Sequence, residues 1–227
     1  MSSFITSSIG KKAILGVSGF FLVSFLCVHL TANLMLIADS SGETFNNVCH
    51  FMATNPVVRV IEPVLALGFI LHIALASWLT LQNRAARPIK YARSNQAGNA
   101  TWASRNMYIL GALILVFLVI HLWNFWWRIK ISHDLDFIEI GGVHMENTYA
   151  LVSGLFKSSI IYCGLYILGS VLLGLHLTHG FGAAFQSVGL SNKLWRKRWN
   201  ALGILFAVAI AVGFSIIPLY FLVGLGG

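Results

Sequence analysis

Five long apolar runs, at approximately 13–37, 57–81, 106–130, 157–181 and 201–224, decide what this chain can fold into. Each is near 24 residues, about 36 Å long as an α-helix, enough to cross a hydrocarbon core of about 30 Å with some tilt. Inside a bilayer every backbone N–H and C=O has to be satisfied within the chain, so such runs fold as helices. Composition agrees: 57% of the 227 residues are hydrophobic and 10% are charged, where a soluble domain has about 25% charged. Mean hydropathy is +0.79. The expectation is an all-α integral membrane protein with five transmembrane helices, a single membrane domain over 1–227 and no separate soluble domain. The first run is too long for the core of a signal peptide and lacks a small-residue cleavage site, so it counts as a mature helix. Pro56 and Pro63 flank the start of the second helix, and Pro218 is expected to kink the fifth or end it early.

Charge orients the helices. Lys11, Lys12, Arg84, Arg87, Lys90, Arg93, Arg105, Lys193, Arg196, Lys197 and Arg198 fall on one side, with no acid among them. All seven acids, Asp39, Glu43, Glu62, Asp134, Asp136, Glu139 and Glu146, fall on the other. The positive-inside rule then puts the N-terminus in the cytoplasm and the C-terminus outside. The basic balance, a net charge of +8, sits in loops between apolar runs, so it reads as membrane topology and not as a nucleic-acid surface. Cys27, Cys49 and Cys163 form no CxxC pattern, which excludes a covalently attached haem of the CxxCH type.

Four of the apolar runs carry a histidine: His29, His72, His121 and His176. An ionisable residue inside a membrane points to function. Depth sorts the four. His29 is sixteen residues into the first run and His121 fifteen into the third, both counted from the inner side, which puts them in the outer half. His72 is fifteen residues into the second run and His176 nineteen into the fourth, both counted from the outer side, which puts them in the inner half. Four helices thus form a bundle with an outer pair, His29 with His121, and an inner pair, His72 with His176. The fifth helix has no histidine and is expected to pack outside the four.

Two imidazoles at one depth, with no thiolate, methionine or carboxylate nearby, suit the axial positions of a low-spin haem. Zinc takes three or four ligands at one level. The reading is two haems, one per pair. Gly16, Gly19, Gly68, Gly169 and Gly174, each shortly before a histidine, are expected to make room for the porphyrins. His179 is a competing ligand to His176, and His50, His133 and His144 lie in outer loops. Haem propionates need cationic partners. The candidates are Lys11, Lys12, Arg93, Arg105 and Lys193 at the inner end, and Arg59, Arg128 and Lys130 at the outer end.

The segments SSIGKKAILGVSGFFLVSFLCVHL (7–30), LHIALASWLTLQNRAARPIKY (71–91), IHLWNFWW (120–127) and LGLHLTHGFGAAFQSVG (173–189) carry a more specific signal. They resemble the di-haem cytochrome b membrane anchor of succinate:quinone oxidoreductases, the succinate dehydrogenases and fumarate reductases, in the form with one large five-helix anchor. The resemblance covers the first four helices and both basic loops. It implies His29 with His121 and His72 with His176 as the ligands of two haem b groups. It also implies a bacterial inner membrane location, menaquinone as substrate and a possible dimer of complexes. The partners implied are a flavoprotein subunit and an iron–sulfur subunit, docked on the basic loops 84–105 and 193–198. This chain itself holds no flavin domain and no cysteine set for a cluster, so its own part is electron transfer, quinone chemistry and docking.

A quinone site needs hydrogen-bond donors and a proton route beside an apolar slot. Asn33 and Asn124 follow His29 and His121 by about one turn. Together with Glu62, Trp123, Trp126 and Trp127 they are candidates for an outer quinone pocket. Alternative readings are a di-haem quinone-reactive cytochrome of a hydrogenase or formate dehydrogenase, and a haem-free transporter or scaffold. The quinol–cytochrome c type is disfavoured because it carries two histidines on each of two helices. Some relatives carry an acid on helix four near the ligand as a proton path, and no acid stands there in this chain.

Overall fold

The computed structural model describes residues 7–86 and 101–226. Helix α1 spans Ser8–Ala38, α2 Glu43–Thr54, α3 Pro56–Ala85, α4 Trp102–Arg105, α5 Met107–His121, α6 Thr148–Ser158, α7 Ile160–Ser187 and α8 Lys193–Leu222. α5 continues into two π-helical stretches, Leu122–Trp126 and Arg128–Ser132. Strands β1 (Phe137–Ile140) and β2 (Val143–Glu146) form an antiparallel hairpin. Its turn is Gly141 and Gly142, both at positive φ, as a type I′ connection requires. Five helices are long and apolar enough to cross a membrane: Ser8–Ala38, Pro56–Ala85, Met107–Ser132, Ile160–Ser187 and Lys193–Leu222. This is the architecture of a multi-pass all-α membrane protein.

Most of these helices extend past the apolar runs, because capping decides where a helix starts and hydropathy only marks its middle. Ser7 accepts a hydrogen bond from Gly10 N and starts α1 ahead of Lys11 and Lys12. Asn192 accepts from Leu194 N and Trp195 N and starts α8 before its basic cluster. Extended backbone at Ser159, whose side chain accepts from Tyr162 N, starts α7 and separates it from α6. Pro218 does not end α8, which continues to Leu222, and Pro63 lies inside α3.

The exterior is apolar, as hydrocarbon requires. Val60, Leu67, Ile70, Val116, Val119 and Leu205 all point outward. Contacts run α1 with α3, α3 with α5, α5 with α7 and α7 with α1, so the four histidine-bearing helices are the edges of a square. α8 lies beside the square, packed closely along α7 and α1. Small residues allow that approach. A Cβ on Gly174 would sit 3.1 Å from the Ala207 carbonyl oxygen and 2.8 Å from the Ala211 Cβ.

One end of the square is basic and the other is capped. α2, α6 and the hairpin gather over the acidic end, where Leu36, Phe45, Val152, Phe156, Ile217 and Phe221 form a buried core. Asn46 ties this cap together. Its Oδ1 accepts from Thr148 Oγ1 (2.9 Å) and Tyr149 N (2.8 Å), and its Nδ2 donates to Asn147 Oδ1 (3.2 Å). The α1–α2 turn is held by Asp39, which accepts from the hydroxyls and backbone amides of Ser41 and Thr44. Those donors, the Ser41 hydroxyl first, hold its carboxyl well below the usual carboxylate range.

Candidate functional site

The four histidines face the interior of the square across its diagonals. His29 on α1 and His121 on α5 have ring centroids 5.7 Å apart with planes at 90°. His72 on α3 and His176 on α7 have centroids 6.4 Å apart with planes at 68°. The two helices of each pair are alternate spans and run in the same direction, so residues at similar distances from their starts share a depth. His179, one turn beyond His176, makes no ring contact of this kind.

The walls of the two pairs differ. Around His29 and His121 lie Phe25 (5.1 Å from His29), Phe214 of α8 (5.6 Å from His29), Phe117 (6.1 Å from His121) and Phe125 (5.3 Å from His121). Tyr166 of α7 closes this side 6.0 Å from His121, with its hydroxyl accepting from Asn124 Nδ2 at 3.1 Å. α8 therefore lies outside the square but still contributes a ring to one pair. Around His72 and His176 the neighbours are small: Cβ atoms on Gly19 and Gly111 would lie 3.9 Å and 3.7 Å from the Cε1 atoms of His72 and His176. Ser18 Oγ lies 3.1 Å from His72 Nδ1. His176 Nδ1 is buried without a hydrogen-bond partner among the described residues. An unsatisfied buried polar group costs about 1–3 kcal/mol, which packing alone does not account for.

Each pair could hold one metal ion between its rings. A metal–imidazole bond is about 2 Å, and with about 1 Å more to each ring centre the centroids stand about 6 Å apart. Both observed separations are of that size. Among the described residues no three His, Cys, Asp or Glu side chains gather as a zinc site would need. The two imidazoles of each pair, inside an apolar bundle, are a donor set that would suit a haem iron.

The glycines expected to make porphyrin room mostly do something else, and this corrects the sequence reading. Gly16 packs on Ser187 and Ala184, Gly68 takes the Phe21 ring, Gly169 takes the Phe117 ring and Gly174 takes α8. Only Gly19 of the five faces a histidine. Gly111 and Gly180, the latter with its Cβ position 4.0 Å from His176 Cδ2, are the ones sequence reasoning missed.

The quinone candidates divide into separate groups. Glu62 accepts from Trp126 Nε1 (2.9 Å) and Lys130 Nζ (2.9 Å), which ties α3 to the π-helical end of α5. Asn124 turns to α7 and Tyr166. Asn33 stays by its own ligand helix, donating to the His29 carbonyl at 2.7 Å. Trp123 is exposed and stacks on Trp127 at 5.3 Å. A π-helical stretch widens the turn and redirects side chains. Asn124 and Trp126, two residues apart on this stretch, engage α7 and α3 respectively.

The cationic candidates are similarly divided. Lys130 is paired with Glu62, and Arg128 with Asp134 at 3.5 Å. Arg59 Nε donates to the Ala53 carbonyl at 2.9 Å. At the basic end Lys11 Nζ stands 4.8 Å over the Trp78 ring, and Lys12 is exposed. Lys193 opens α8, and Arg105 ends α4 with a partner of its own. Arg93 and most of the 84–105 loop lie outside the described residues. The first turns of α8 present Arg196, Lys197 and Arg198, with the Arg198 guanidinium 5.0 Å over the Trp195 ring.

Comparison with protein-family models, with curated proteins and with solved structures gives no match to this chain.

Proposed function

We propose that this chain is the di-haem cytochrome b anchor of a succinate:quinone oxidoreductase, a succinate dehydrogenase or fumarate reductase, in a bacterial cytoplasmic membrane. The observation that carries the reading is the arrangement of four imidazoles as two facing pairs at two levels of one bundle. Haem b bound at each pair supplies one-electron redox chemistry, and two levels give a stepwise path across the bilayer. His72 and His176 are the ligands at the basic, cytoplasmic end. His29 and His121 are the ligands at the acidic, outer end. The residues around them exclude water, with Phe25, Phe117, Phe125 and Phe214 walling the outer pair.

The basic end is the docking face for the flavoprotein and iron–sulfur subunits, with Arg196, Lys197 and Arg198 on its surface. Menaquinone reacts at the acidic end, beside Glu62, Trp126 and Lys130. There the carboxylate holds a lysine and an indole N–H and can receive or release the quinone's proton. Glu62→Gln is expected to keep the bond to Trp126 and lose the charge that holds Lys130. Quinone turnover should fall by about ten-fold or more, with haem content unchanged. Wild-type quinone kinetics in that variant would put the proton route elsewhere.

The function is tested by a pyridine haemochrome assay with a reduced-minus-oxidised spectrum on the purified chain. Two b haems per chain are expected. A well-folded preparation without haem would overturn the reading and favour a haem-free scaffold.

A further inference from the structure

The hydrogen bonding around the four imidazoles is unequal, and the difference begins at Ser18. This residue of α1 is 6% exposed, and its Oγ lies 2.8 Å from the Leu15 carbonyl oxygen and 3.1 Å from His72 Nδ1. A hydroxyl has one proton to give, and a carbonyl oxygen can only accept it. The proton therefore goes to Leu15, and the hydroxyl oxygen turns a lone pair to the ring. His72 then carries its hydrogen on Nδ1, and Nε2 is left as the one ring nitrogen with a free lone pair.

No other imidazole of the four has such a support among the described residues. His176 Nδ1 is buried and has no partner. Asn33 approaches His29 Nδ1 at 3.4 Å with its Nδ2, a donor already engaged by the His29 carbonyl at 2.7 Å, so it offers that ring no acceptor.

We propose that Ser18 is a positioning residue for the basic-end centre: it fixes the His72 tautomer and ring orientation across the α1–α3 contact, so that Nε2 is presented as a metal ligand. This rests on the di-haem reading above and deepens it. An acceptor on the distal nitrogen of a ligating imidazole raises its basicity. A more basic ligand stabilises the oxidised, more positive iron, so Ser18 lowers the reduction potential of one haem and leaves the other unaffected.

The test compares wild type, Ser18→Ala and Ser18→Thr, with Ser18→Cys as a near-isosteric weak acceptor should the alanine variant not fold. Potentiometric titration followed by absorbance resolves the two haems. In Ser18→Ala one wave is expected to move to higher potential while the other stays. Ser18→Thr, which keeps the hydroxyl, is expected to restore the wild-type value. Two unmoved waves in a Ser18→Ala protein that retains both haems would overturn the proposal. A readout without haem comes from 15N-histidine NMR of the unloaded protein in detergent. One imidazole should hold the Nδ1–H tautomer in wild type and become a tautomer mixture in Ser18→Ala. An unchanged histidine spectrum would overturn the proposal even if the wild type bound no haem, whereas absence of haem with the tautomer change present would sink only the di-haem reading.

Discussion

Alanine at His29 or at His121 is expected to leave one haem b per chain in place of two, and alanine at His72 or at His176 is expected to leave the other one. Each pair supplies two imidazoles, and among the described residues no three His, Cys, Asp or Glu side chains gather at either level. On the di-haem reading, loss of one imidazole would remove half of a two-ligand set. The double variants carry the sharper expectation. His29→Ala with His121→Ala should still retain one haem, because both changes strike one site. His29→Ala with His72→Ala should retain none. Groups acting as a unit are non-additive, while independent sites add. The readout is haem per chain by pyridine haemochrome, with the α-band of the reduced spectrum showing which centre survives. A single substitution that empties both sites, or a same-level double variant without haem, would contradict the two-level arrangement. Retention of both haems in His176→Ala would transfer the ligand role to His179.

Leucine at Gly174 is expected to separate α8 from α7. The added Cβ would meet the Ala207 carbonyl at 3.1 Å and the Ala211 Cβ at 2.8 Å, and neither is the tip of a flexible side chain. Close approach between small residues is how membrane helices gain packing energy, and Ala207 and Ala211 are the complementary small pair on α8. Overpacking typically costs about 1–3 kcal/mol, and a backbone carbonyl cannot yield as a side chain would. The midpoint of thermal unfolding in detergent should fall by several degrees. The control is Gly164→Ala on the same helix, where a Cβ meets nothing within 4 Å. That change should be neutral or slightly stabilising, since alanine is the better helix former. Equal behaviour of the two variants would mean that α7 and α8 do not meet at this glycine.

The charge-split ends and the depths of the histidines were legible without any structure. Alternating runs convert sequence position into depth, so the shared level of His29 with His121 and of His72 with His176 follows from counting. Side-chain direction around those residues was not legible. Asn124 and Trp126 stand two residues apart and so point to different faces, but which helix each meets is set by the rotation of α5, and no residue in LWNFW announces the π-helical stretch that follows His121. The cap at the acidic end was also missed. Its elements are short, and their support is long-range, as in the bonds from Asn46 to Asn147, Thr148 and Tyr149. Ser18 was overlooked because a hydroxyl in a transmembrane run ordinarily bonds its own helix, as its bond to Leu15 does. What makes it specific is a neighbour on α3.

The sequence by itself determined the number of spanning helices, their alternation and the level of each histidine. Those depend only on hydropathy, charge and rise per residue, which are additive along the chain. Only the tertiary structure decided which glycine serves a ring and which serves a helix crossing. It likewise decided that α8 lends Phe214 to one pair, that Glu62 holds Lys130, and that Ser18 supports the His72 imidazole. Those facts depend on helix rotation and on partners far away in sequence. A rotation of one residue, about 100° on a helix, exchanges one set of neighbours for another without altering the hydropathy profile.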